Sequence, residues 1–320
     1  MRTGSPPGRL IDVGGHRLHL DCRGAGNPPV VFDAALGGSS FSWFFVLPQV
    51  AAFTAACAYD RAGFGSSDAG PLPRTTGRVV DELRTLLAAA SVRPPHVIVG
   101  HSFGGLAARL FAWRHPAEVA GLVLLDPAYP EDWRDPSPRR RERLARGARL
   151  CRYGERAARW RVAHAVVALA QAGARPLARR ITRAAAAGAL HQADEQLLAP
   201  LLRLPPDVRI LAVRPWTRPS FFQALGSQIA SMPVSATEVP VDQDFGSLPL
   251  VVISGETNSD AAQLARQARL AARSTRGRHI VAEGSGHWIP LDRPDVVVDA
   301  VREVVDAARE RAAEGAISTR

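Results

Sequence analysis

An α/β fold, with helices on both faces of a parallel sheet, is predicted by three features of the 320-residue chain. The first is alternation of short β-like runs with helical ones as far as Ala128, which is how parallel strands and their crossovers read in sequence. The second is an apolar content of 46%, with only 22% charged residues, enough to bury one large core and too much for a disordered or collagenous chain. The third is Gly100-His101-Ser102-Phe103-Gly104, a G-x-S-x-G set between the apolar run Val97-Ile98-Val99 and a helical stretch.

The predicted strands are Leu18–Asp21, Val30–Asp33, Ala56–Asp60, Val97–Gly100 and Gly121–Leu125, each bounded by glycine or proline. Between them Thr76–Ala90 places Val79, Val80, Leu83, Leu86 and Leu87 at helical spacing, and Ser102–His115 forms a second helix. The alternation stops near Tyr129. From there to Pro240 the chain is rich in alanine, arginine and leucine, with a helix start at Ser137-Pro138 and breaks at Pro176, Pro200, Pro205-Pro206 and Pro215–Pro219. This segment is read as an all-helical insert. Strands resume at Leu248–Ser254 and Arg278–Glu283, and a last helix runs from Pro294 to about Ala313. The core domain therefore comprises 1–128 and 241–320, split around an insert at 129–240.

The net charge of +10 is local. All forty basic residues are arginine, and Arg134–Arg183 holds fifteen of them against three acids, while the rest of the chain is nearly neutral. A solvated helical face accounts for such a run, with weak contact to an anionic membrane surface or an acidic substrate as the alternatives. No nucleic-acid motif accompanies the arginines, so no nucleic-acid partner is expected. Val162–Ala174, the longest apolar stretch, is thirteen residues long and too short to span a bilayer. Met1–Pro7 carries one arginine with no apolar run behind it, unlike a secretory or transit leader. Cys22, Cys57 and Cys151 fit neither a metal-ligand spacing nor a disulfide framework, and reduced thiols in a cytoplasmic protein are the expectation.

The chemistry centres on Ser102. A serine in a strand-turn-helix elbow is lifted to the carboxyl edge of the sheet, and the following helix aims its N-terminal dipole and the Phe103 N–H at a developing oxyanion. Glycines flank it because a Cβ at either position would strike the neighbouring strand or helix. Activating the hydroxyl needs a histidine. Of nine, His287 is the candidate, since it follows Arg278–Glu283 through the turn Gly284-Ser285-Gly286. His279 lies inside that strand, and His101 is expected beneath the elbow rather than against the serine oxygen. Two carboxylates compete to orient the imidazole. Asp126 leaves its strand directly, without a flexible spacer, and is preferred; Asp260, in the loop after Leu248–Ser254, is the reserve.

These residues, with Asp60-Arg61-Ala62-Gly63-Phe64-Gly65-Ser66-Ser67-Asp68, resemble the α/β-hydrolase superfamily over nearly the whole chain. The resemblance implies a mostly parallel eight-stranded sheet, a helical cap inserted after the sixth strand, a pocket between the two, and a Ser-His-acid mechanism with neither metal nor cofactor. It gives the Asp60–Asp68 loop an architectural role. It puts the Leu36 N–H at the oxyanion, although the usual His-Gly is replaced by the run Asp33–Ser40. The family's common acid position holds Asn258, and some subfamilies carry the acid after the sixth strand, which favours Asp126. The expected activity is hydrolysis of a small carboxylic ester through an acyl-enzyme. C–C bond hydrolysis and acyl transfer are rivals with the same triad, and a non-catalytic or membrane-surface binding protein is the rival from another class. Epoxide and halide displacement are disfavoured, because related enzymes place an aspartate where Ser102 stands. Trp43 and Trp288 are the nearest pocket candidates; Trp133, Trp160, Trp216, Phe221 and Phe222 of the insert are read mainly as core.

Overall fold

The computed structural model of the protein describes residues 7–160 and 201–318. Val162–Ala174, His164, His191, Pro176 and Pro200 lie outside the described residues.

Eight strands, β1 (Arg9–Asp12), β2 (Arg17–Arg23), β3 (Val30–Asp33), β4 (Ala56–Asp60), β5 (His96–His101), β6 (Val119–Leu125), β7 (Leu250–Gly255) and β8 (Gly277–Ala282), form one sheet in the order β1-β2-β4-β3-β5-β6-β7-β8. β2 runs antiparallel to both β1 and β4, and every pairing from β4 to β8 is parallel. The central strands bury both faces, which is why their sequences are continuous apolar runs. Val31, Ile98, Leu122, Leu124 and Val252 face the helices Thr76–Ala89 and Phe103–Arg114, while Phe32, Val97, Val99, Val123 and Ile253 face the last helix, Pro294–Ser318. With β3 to β8 parallel, the loops that follow these strands gather at one edge.

Between β6 and β7 the described residues are helical. Ser137 caps Pro138–Arg159 by accepting the Arg140 N–H, and the prolines at 206 and 219 open the helices Pro206–Val213 and Pro219–Ala230. Each proline sits in the first turn, where its missing N–H leaves no bond unmade.

One reading of the sequence is corrected here. Cys22 and Cys57 are joined in a disulfide across β2 and β4, and Cys151 alone is a free, buried thiol. Their separation of 35 residues hides a direct pairing, since the antiparallel register sets Cys22 opposite Cys57. The expectation of a cytoplasmic chain loses the support of reduced thiols. Closing a loop of that length is worth roughly 3–4 kcal/mol by chain entropy. Reduction should lower the free energy of urea unfolding by about that amount, and mapping without reductant should recover the Cys22 and Cys57 peptides joined. Three alkylatable thiols in the denatured, unreduced chain would contradict the bond.

Candidate active site

Ser102 stands at the end of β5 with φ 55° and ψ −111°, a left-handed conformation that a non-glycine residue holds only under local strain. Its neighbours explain how the strain is kept. The Ser102 N–H donates to Leu125 O at 2.9 Å, and Ser102 O accepts from the Ala128 N–H at 3.0 Å, so the turn is stitched to the end of β6. A Cβ on Gly104 would lie 2.3 Å from Asp33 O, and one on Gly100 would lie 2.4 Å from Gly104 O. The elbow closes only with glycine at both positions.

The same edge supplies the acid. Asp126, also at positive φ (41°), directly follows β6, and its N–H is held by Ile253 O at 2.8 Å. Its carboxylate is buried and surrounded by donors. Oδ2 accepts from His287 Nδ1 at 2.8 Å and from Asn258 Nδ2 at 2.6 Å; Oδ1 accepts from Gln267 Nε2 at 2.6 Å. Burial pushes this carboxyl up, but the bonds from His287, Asn258 and Gln267 outweigh it and hold the pKa below the ordinary value. Asp126 thus stays ionised. It also sets the imidazole tautomer: with Nδ1–H donated to the carboxylate, Nε2 is left as the basic nitrogen. The His287 side chain is 39% exposed, whereas that of Asp126 is 2% exposed, so the imidazole is partly open and its carboxylate partner is closed to water. Among the described residues no hydrogen bond joins Ser102 Oγ to the ring.

Asp260 does other work. It accepts the Gln263 N–H at 2.8 Å and caps the helix Ala261–Ala271. The structure therefore brings Asp126 to His287, and of the two acids in contention it leaves Asp260 as a helix cap. Asn258 serves Asp126 as a donor.

His101 lies beneath the elbow, fully buried, and its Nε2–H donates to His287 O at 2.7 Å, with the two rings 4.8 Å apart. Burial, and then the neighbouring His287, lower its pKa to about 3. A neutral His101 braces the loop of His287 without placing a cation beside it. His96, buried at the start of β5, is lowered to about 4, again by burial. An unfolded chain protonates both near pH 6.5. Their stabilising contribution is therefore complete above that pH and is lost as pH falls toward 4, at about 1.4 kcal/mol per histidine per unit. His19 works in the opposite sense: burial lowers its pKa, but Asp60 outweighs this and raises it. Urea unfolding at pH 5 should show a loss on the order of 4 kcal/mol relative to pH 7, less the opposing gain from His19, and His96→Asn should remove about 2 kcal/mol of that loss. Equal stabilities at the two pH values would contradict the buried neutral rings.

The N–H groups of Leu36 and Phe103 have no backbone acceptor among the described residues. Leu36 lies in the loop after β3, and the Asp60–Asp68 segment holds that loop from both sides. Arg61 Nε donates to Asp33 Oδ1 at 2.8 Å, and its Nη2 donates to Ala34 O and, at 3.3 Å, to Ala35 O. At the far end Asp60 Oδ1 accepts the Ser40 N–H at 2.7 Å. The Arg61 guanidinium also lies 4.8 Å from the centre of the Phe103 ring. The Asp60–Asp68 loop thus moulds the segment that carries Leu36, and the only sign of this in the sequence is indirect: Asp33 and Arg61 stand at two strand ends.

Beside Leu36 a cavity of about 60 Å³ is lined by Phe41, Leu204, Trp216, Trp288 and Leu291. Trp288 is the pocket residue expected, and Trp216 joins it. Trp43 is not: it is 0% exposed and packs on Phe32 beneath the sheet, with ring centres 4.9 Å apart. Among the described residues no cluster of histidine, cysteine or carboxylate side chains is arranged to hold a metal, and no helix is long and apolar enough to cross a membrane.

An α/β sheet with a strained serine at its carboxyl edge, and a histidine-aspartate pair on the same edge, defines a class of folds built for chemistry at that rim. The chain belongs to the alpha/beta hydrolase family, whose model matches residues 24–300. In fold it is similar to a thermophilic esterase from Thermogutta terrifontis, at 20% identity and TM-score 0.66 over 95% of this chain and 99% of that one. It is also similar to the epoxide hydrolase CorEH, at 14% identity and TM-score 0.60 over 92% and 96% of the two chains. At those identities the likeness is one of fold alone. In sequence it resembles the uncharacterized protein YqjL of Bacillus subtilis, 38% identical over 121 residues, which are 38% of this chain and 48% of that protein. The matched segment thus spans about half of that curated relative.

Proposed function

We propose that the chain is a serine hydrolase of small carboxylic esters, with Ser102 as nucleophile, His287 as general base and acid, and Asp126 as the orienting carboxylate. The observation that carries the reading is the 2.8 Å bond from His287 Nδ1 to a buried Asp126 on the edge that presents Ser102. In the substrate complex the His287 ring closes on Ser102 Oγ, a contact that catalytic pairs commonly complete only with substrate bound. His287 Nε2 takes the hydroxyl proton as Oγ attacks the ester carbonyl carbon, and the carbonyl π pair moves onto oxygen. The Leu36 and Phe103 N–H groups receive that oxyanion. Collapse of the tetrahedral adduct expels the alkoxide, which leaves with the proton from His287. Water then repeats the sequence on the acyl-enzyme, and the acid departs.

The apolar cavity beside Leu36 suits a short, uncharged acyl or alkyl group. The described helices between β6 and β7 are read as part of a cap over this side of the sheet, since Trp216 and Leu204 contribute to the cavity wall. A serine at the elbow favours acyl chemistry over epoxide opening. A series of p-nitrophenyl esters from acetate to decanoate tests the reading. Turnover should be highest for short and medium chains and fall once the acyl group outgrows the cavity. No turnover above blank on any chain length would overturn it.

A further inference from the structure

The helix Pro138–Arg159 carries nine arginines, eight of them exposed, and its inner face packs on the helix Pro219–Ala230. Its contacts with that helix run along Gly147, Cys151 and Gly154, which meet Ile229, Gly226 and Phe222. Everything on the outer arc faces water. Arg141, Arg146 and Arg159 form ion pairs with Asp135, Glu142 and Glu155, but among the described residues Arg139, Arg143, Arg149 and Arg152 form none, and Arg156 meets Glu155 only through a longer-range attraction. Within this arc Arg149, Tyr153, Arg156 and Trp160 follow the spacing i, i+4, i+7, i+11 and so share one stripe. Tyr153 is 52% and Trp160 80% exposed. Among the described residues, these two large aromatic rings stand exposed between guanidinium groups and take no part in the core or in the site at Ser102.

We infer that this outer arc is a docking face for an anionic phospholipid surface. Guanidinium groups pair bidentately with headgroup phosphates, and tryptophan and tyrosine rings settle at the boundary between headgroups and acyl chains. A helix lying flat in that plane needs both kinds of side chain on one face, as here. The spread of the charge also fits a plane. Arg152 flanks the stripe on one side and Arg146 on the other, a cationic surface broader than the narrow set of side chains that enters a nucleic-acid groove. The inference stands on the surface alone and does not depend on the chemistry proposed for Ser102.

The test is co-sedimentation of the full chain with vesicles of phosphatidylcholine alone and with vesicles containing phosphatidylglycerol, each at low and high salt. The chain should bind the anionic vesicles only, and added salt should weaken binding. The variant Arg149→Gln/Arg152→Gln/Arg156→Gln should lose roughly fivefold per arginine, on the order of a hundredfold in all. Tyr153→Ser/Trp160→Ser should weaken binding while leaving its salt dependence in place. Circular dichroism melting shows whether each variant is folded, and the salt dependence of the unaltered chain tests the inference even if one is not. Absence of binding, binding insensitive to salt, or a folded triple variant that binds like the parent would overturn it. So would tighter binding to a short duplex DNA than to the anionic vesicles.

Discussion

Ser102→Ala is expected to reduce ester turnover by a factor on the order of 10⁴–10⁶ while leaving the fold intact. The size follows from the position of this side chain. In the proposed mechanism Ser102 Oγ is the bond-forming atom, and the remaining parts, two N–H donors and a pocket, would retain only the modest acceleration that binding and oxyanion stabilisation give alone. The fold should tolerate the change. Ser102 Oγ makes no hydrogen bond among the described residues, and the strained turn is held by backbone bonds to Leu125 and Ala128 that alanine keeps. Turnover measured beside a urea unfolding curve separates the two effects. A variant with near-parental activity would remove Ser102 from the chemistry.

Asp126→Asn should cost about 10⁴ in kcat at neutral pH, whereas Asp260→Asn should be close to neutral. An asparagine at 126 presents either a donor or an uncharged acceptor to His287 Nδ1, so the tautomer with a basic Nε2 is no longer enforced and the imidazolium loses its counter-charge. The surrounding amides of Asn258 and Gln267, built to donate to a carboxylate, would also meet an amide. At 260 the situation differs. That side chain accepts one N–H as a helix cap, and asparagine caps about as well as aspartate. Assaying the two variants in parallel identifies the acid by the ratio of their losses. Equal losses, or a larger one at 260, would contradict the assignment.

Much of this arrangement was legible in the chain. The central strands are bounded by glycine and proline and are apolar on both faces, so their alternation with helices specified a parallel sheet. The glycines around Ser102 marked an elbow because only glycine fits there. Asp126 could be favoured over Asp260 because it follows its strand with no spacer. What escaped the reading depends on register and on depth. Cys22 and Cys57 meet because two antiparallel strands align them, and no local pattern states that alignment. Trp43 is next to the Asp33–Ser40 loop in sequence but points under the sheet. The hydrogen bond from His101 to the His287 carbonyl joins residues 186 apart, and the amides of Asn258 and Gln267 reach Asp126 only once β6 and β7 are paired. Arg61 reads in sequence only as part of a loop that the resemblance makes architectural. In the structure it holds Asp33, Ala34 and Ala35, the residues that lead into Leu36.

The most direct test of the central claim is reaction of the folded chain with a fluorophosphonate, followed by mass spectrometry of the digested protein. A nucleophile activated by His287 and flanked by the Leu36 and Phe103 N–H groups predicts a single adduct on Ser102, absent from Ser102→Ala and formed much more slowly in Asp126→Asn. No adduct, or an adduct on another residue that persists in Ser102→Ala, would contradict it.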